Sequence, residues 1–176
     1  MDDSVKKLAI PAELNHPFFF SQEEILVNKP NSSFSLSENF IYELYFFNGR
    51  VTCMPWMNPQ ESVPILLKEW QQLKNHLKLR YQNREQEFIL ESMKKGIGLF
   101  LQLLFWSNGQ PVHLKEPIPF SQLTSKPVNV QERLGFIISR PKLFHSFIQL
   151  SELMVEQEKH YMKNVVVKKA SRPNKV

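Results

Sequence analysis

The run Ile97-Gly98-Leu99-Phe100-Leu101-Gln102-Leu103-Leu104-Phe105-Trp106, closed by Ser107-Asn108-Gly109 and then Pro111, decides the fold of this chain. It is apolar almost all round, which suits a helix covered on several sides. A bilayer span needs about 20 such residues, so this shorter run is expected to be a buried helix. Its amphipathic approach, with Phe88, Ile89 and Met93, predicts one helix from about Glu85 to Trp106. Asn108-Gly109 before a proline is a strong stop signal.

Working outward, Val63, Leu66, Leu67, Trp70, Leu73, Leu77 and Tyr81 recur every three or four residues. They predict an amphipathic surface helix over 61–81, with Pro64 tolerated in its first turn. Upstream of it, Ser37-Glu38 followed by Phe40, Ile41, Leu44, Tyr45 and Phe47 reads as a helix ending at Asn48-Gly49. Four prolines make 110–128 a wrapped loop with at most one helical turn, near Phe120 to Thr124. Asn129, with Glu132 three residues on, reads as the cap of a short helix ending at Ser139-Arg140. A last helix is expected from Pro141 to Met162 on Leu143, Phe147, Leu150, Met154 and Tyr161, with Gln157 filling the gap.

The termini read differently. Residues 1–35, interrupted by Pro11, Pro17 and Pro30, are expected to be irregular, with a turn at Asn31-Ser32-Ser33. The rings of His16-Pro17-Phe18-Phe19-Phe20 are expected to dock on the domain. Ser21 is expected to open a helical turn through Val27. Residues 165–176 have no helical period and are expected to be a disordered basic tail. The resulting architecture is all-α: an irregular bundle of about five helices over 36–164, with a proline-rich loop between the central helix and the C-terminal pair.

Charge is unevenly placed. Of 22 Lys and Arg, six (Lys159, Lys163, Lys168, Lys169, Arg172 and Lys175) follow residue 158 with no acid among them. The remaining 16 nearly balance the 17 acids, so the net +5 describes a tail and not a basic domain. The lone Cys53 excludes an internal disulfide and a zinc site built on paired cysteines. The start, Met1-Asp2-Asp3, is not that of a secretory signal, and the cytoplasm is the expected compartment.

Motifs carrying chemistry are few. Gly96-Ile97-Gly98 lies inside a helix pattern, where close packing outweighs phosphate binding. Glu13-Leu14-Asn15-His16 and the pair Glu156 and His160 lack the partners a metal bundle needs. Nothing brings Cys53 to any of His16, His76, His113, His145 or His160. No cofactor, metal or catalytic residue is expected, although an enzyme built from distant residues stays open. The candidate binding residues are the cations Lys74, Lys78, Arg80 and Arg84, with Lys94 and Lys95 beyond them, then Arg133 and Arg140, and Lys168, Lys169 and Arg172 in the tail. For the Lys74–Lys95 run and for the tail, an ordinary solvated surface is the favoured reading. Arg133, between the cap at Asn129 and an apolar run, is expected to reach a partner across the proline-rich loop.

Four segments carry a resemblance: His16-Pro17-Phe18-Phe19; Phe100-Leu101-Gln102-Leu103-Leu104-Phe105-Trp106-Ser107-Asn108-Gly109-Gln110-Pro111-Val112; Pro127 to Ile137; and Phe147 to Leu153. Together they resemble the YpoC-like family of small proteins from Bacillus-type and related Gram-positive bacteria, over most of 10–162 but not the basic tail. The resemblance carries no catalytic signature and assigns no functional residue. Family members are similar in being encoded near genes for DNA replication, repair and cell-wall synthesis, which implies an accessory role. The sequence thus favours a non-catalytic helical binding module with another protein as its partner. A nucleic-acid-associated accessory protein, using the basic helix face and the tail, is the alternative.

Overall fold

The computed structural model describes residues 5–28, 36, 38–50 and 53–172. The turn expected at Asn31-Ser32-Ser33 and the helix start at Ser37 lie outside them. Among the described residues there are five α-helices: α1 (Ile41–Phe47), α2 (Pro59–Gln82), α3 (Gln86–Ser107), α4 (Val130–Ser139) and α5 (Phe144–Ala170). A single 3₁₀ turn at Phe120–Gln122 interrupts the proline-rich loop.

The helix α3 is the axis. From Gly96 to Trp106 every residue is buried, and Leu101, Leu104 and Trp106 are wholly so. The two glycines serve packing. A Cβ on Gly98 would stand 2.4 Å from the side chain of Asn39, and one on Gly96 would meet Leu150 and Trp70 at 3.1 Å. Gly109 ends the run with φ +73°, a conformation that glycine adopts freely. On the far side, α1 contributes Glu43, a wholly buried carboxylate. Its Oε1 accepts the Trp106 indole N–H at 2.6 Å and the Val112 backbone N–H at 3.2 Å. These bonds tie α1, α3 and the start of the proline-rich loop together.

Three expectations need correction. The fold is mostly helical but not all-α, because Val5–Ala9 (β1) and Glu24–Asn28 (β2) form an antiparallel pair with Leu8 opposite Ile25. The helical turn expected from Ser21 to Val27 is this second strand. Its alternation buries Val27, as β1 buries Leu8, and a two-residue period outweighs the cap signal at Ser21. Lys7 and Glu24 form an ion pair across the hairpin. In the ring cluster behind it Phe19 lies edge-on to Phe40 at 5.0 Å.

Second, α2 begins at Pro59, so Pro64 stands sixth and not in the first turn. The carbonyl it leaves without an amide belongs to exposed Gln60, where water can satisfy it. Asn129 does open α4, but through a left-handed backbone (φ 53°) with no side-chain cap bond.

Third, α5 continues eight residues past Met162, to Ala170. Val165 lies one turn after Tyr161 on the same face and packs against the core. Lys168 and Lys169 then fall in the last turn, where cations favour the helix dipole. Removing residues 165–176 is therefore expected to leave the fold intact but lower the melting temperature. The loss of one half-buried valine, about 1 kcal/mol, corresponds to roughly 2–4 °C. An unchanged melting curve for a chain ending at Asn164 would show that Val165 contributes nothing.

Candidate binding surface

The helices α2 and α5 run antiparallel, side by side on α3. At one end the Tyr81 hydroxyl reaches the carbonyls of Lys142 and Leu143, each at 3.2 Å. At the other the Tyr161 hydroxyl donates to the Pro59 carbonyl at 3.1 Å. Burial pushes the Tyr81 hydroxyl up to about 12, so it remains a donor at any ordinary pH. Beneath this pair Gly96 gives the room in which Trp70 of α2 and Leu150 of α5 converge.

Above that contact the two helices diverge into a groove. One part, of about 510 Å³, is lined by Lys78, Tyr81, Gln82, Phe144, Phe147 and Ile148. Its continuation, of about 380 Å³, runs between Lys74 on α2 and Ile148, Ser151, Glu152, Val155 and Glu156 on α5. Lys78 thus borders an apolar wall of Phe144, Phe147 and Ile148, while Lys74 faces a mixed one in which Glu152 and Glu156 accompany Val155.

The apolar wall belongs to a larger feature. The core face of α5 carries Phe147, Leu150, Leu153, Met154 and Tyr161, all buried. Turned away from it, Phe144, Ile148, Val155, Met162 and Val166 are 37–65 % exposed. Their spacings of four, seven, seven and four residues keep them on one stripe of the helix. A surface helix normally shows one apolar stripe, whereas α5 has two. The sequence holds a signal for the second, since Ile148, Val155 and Met162 fall outside the periodicity that fixes the core face.

The expected cations are separated by the fold. Lys74 and Lys78 face the groove, but Arg80 turns to the opposite side of α2, its guanidinium 4.7 Å from the centre of the Phe88 ring. Arg84 follows α2 with a left-handed backbone, in the turn to α3. Lys95 pairs with Glu69 at 2.5 Å. Arg140 stands over the Phe136 ring at 5.9 Å, and its carbonyl accepts the Ser146 hydroxyl at 2.6 Å. Lys168 and Lys169 end α5, with exposed Arg172 just beyond.

Arg133 does not reach back across the proline-rich loop: its close partners lie on α5, and of the loop it meets only the Val128 carbonyl. Its Nη1 lies 2.9 Å from the Glu156 carboxylate and 3.4 Å from the Val128 carbonyl. Its Nε donates to Gln149 Oε1 at 3.3 Å, and Glu152 lies 3.7 Å from Nη2. Arg133 is therefore a clamp between α4 and α5. Arg133→Ala is expected to cost about 1–2 kcal/mol in denaturant unfolding, since several partly exposed contacts are lost together. A loss below the error of the measurement would show that the clamp is ornamental.

Three of the histidines considered for chemistry have packing or hydrogen-bond partners. His16 Nδ1 accepts the Phe18 N–H at 3.2 Å, so Nε2 carries the proton it donates to Glu116 at 3.2 Å. His113 packs edge-on against Phe47 and His145 against Phe136. Cys53 is exposed. Among the described residues no cluster of three metal-ligating side chains converges, and no helix is long and apolar enough to cross a membrane.

The profile of the YpoC-like protein family matches residues 60–169. This chain belongs to the YpoC-like family. The Bacillus subtilis (strain 168) protein named "Uncharacterized protein YpoC" is 35 % identical over 112 residues, covering 62 % of this chain and 68 % of that protein. No solved structure matches. The family match takes in α2, α3, α4 and nearly all of α5. It leaves out the hairpin, α1 and the His16-Pro17-Phe18-Phe19 segment that contributed to the resemblance, and it reaches Lys168 and Lys169. Both walls of the groove and the outer stripe of α5 therefore lie inside the YpoC-like part of the chain.

Proposed function

We propose that the protein is a non-catalytic helical binding module of the bacterial cytoplasm, acting through contact between α5 and another protein surface. The observation that carries this reading is the second apolar stripe of α5, exposed opposite the core and bordered by Lys74 and Lys78. Exposed apolar residues aligned on one helix face at such spacings are a common recognition mode. The polar side chains nearby support the reading, because Arg133 and Glu156 are paired with one another at 2.9 Å, while the more distant Glu152 stays largely exposed.

A nucleic-acid reading draws on Lys168 and Lys169 in the last turn of α5 together with Lys74 and Lys78. The first pair lies about 36 Å along the helix from Phe144, whose ring packs on Tyr81 beside Lys78. The two cationic sets lie toward opposite ends of α5, with Lys159 and Lys163 between them. The module reading is tested by a photo-crosslinking side chain placed at Val155, with Glu132 on α4 as control, in growing cells. Protein adducts from position 155 that disappear with Ile148→Asp are expected. Adducts to nucleic acid, or equal protein adducts from both positions, would overturn it.

A further inference from the structure

We infer that the outer stripe of α5 pairs with the same stripe of a second copy of this chain, the two helices running antiparallel about a two-fold axis near Val155. This rests on the reading of α5 as a contact surface and names its occupant.

The positions are self-complementary. Phe144 and Ile148 precede Val155 by eleven and seven residues, and Met162 and Val166 follow it by seven and eleven. A two-fold axis at Val155 reverses one helix against the other, so each exposed apolar residue of the front half meets one of the rear half. That is the condition for an isologous interface, in which one patch must fit itself. The seven-residue spacing of Ile148, Val155 and Met162 is that of residues meeting along a helix pair. The stripe extends about 33 Å, enough for a seam along most of α5.

The charges are also complementary. Glu152, three residues before the axis, and Lys159, four after it, lie on the same flank of the stripe. In an antiparallel pair equivalent flanks face each other, so Glu152 of each copy stands opposite Lys159 of the other, twice per dimer. A parallel two-fold pair would place the equivalent flanks on opposite sides of the seam, so that neither Glu152 nor Lys159 would meet the other across it.

Sedimentation of the full chain across a wide concentration range tests this. A monomer–dimer equilibrium is expected, abolished by Val155→Asp with the circular dichroism unchanged. Glu152→Lys or Lys159→Glu alone should weaken the dimer about tenfold, since each disrupts two equivalent pairs, and Glu152→Lys with Lys159→Glu together should restore it. Val155→Cys in a Cys53→Ser background should form a disulfide-linked dimer under mild oxidant. A chain that stays monomeric, a dimer indifferent to Val155→Asp, or a double charge reversal as weak as the singles would overturn the inference. If the chain is monomeric while position 155 still crosslinks to a different protein in cells, self-pairing fails and the module reading stands.

Discussion

Leu101→Ala and Leu104→Ala are each expected to destabilise the protein by about 2–5 kcal/mol, the range for emptying a well-packed leucine site. Both side chains are fully buried on α3, the helix on which α2 and α5 lean. Neighbouring residues from Leu99 to Trp106 are buried as well, so the surroundings have little freedom to collapse into the space left behind. Denaturant unfolding gives the value directly. Losses below about 1 kcal/mol at both sites, less than such truncations typically cost, would mean that another helix is the centre of the fold.

The protein is also expected to lose stability as pH rises toward 8, through Glu43. Burial pushes this carboxyl up to about 7 from an ordinary value of 4.5, against the opposing pull of the bonds from Trp106 and Val112. Among the described residues its Oε2 has no hydrogen-bond partner, so the charged form is poorly compensated. The native state therefore holds a proton that the unfolded chain releases. The associated stability is fully present below about pH 4.5 and is lost as pH rises through about 7. The full loss is on the order of 3 kcal/mol. Glu43→Gln keeps the acceptor facing Trp106 and removes the titration, so its unfolding free energy should lack this slope. At pH 5 Glu43→Gln should be the less stable of the two, because its amide leaves two buried N–H donors unmet where the protonated carboxyl leaves one O–H. A variant retaining the full slope would place the titrating group elsewhere.

The helices were legible where packing follows a period. Ile97 to Trp106 reads as buried from its composition alone, and Asn108-Gly109 marks its end within a residue. The hairpin was not legible, because Val5–Ala9 and Glu24–Asn28 are five residues each and lie 14 positions apart in a proline-broken segment. Short strands draw their stability from a partner distant in sequence, and nothing local announces it. The end of α5 was missed for a related reason. Val165-Val166-Val167 is a poor helix former by propensity, and the contact of Val165 with the core decides its state. For the candidate surface, sequence reading found the cations Lys74 and Lys78 but not the apolar stripe beside them. Exposure depends on which of two apolar faces the bundle covers, and both faces of α5 have helical spacing.

The contact role of α5 is tested most directly by the rate at which the thiol of a Val155→Cys variant reacts with maleimide inside living cells. Glu132→Cys on α4 serves as the reference, in a Cys53→Ser background, with both rates normalised to the denatured protein. If the outer stripe is an occupied interface, the thiol at position 155 should react much more slowly in cells than the one at position 132, and adding Ile148→Asp should remove the difference. Equal rates at the two positions in cells would show that the stripe lies open to solvent and would contradict the account.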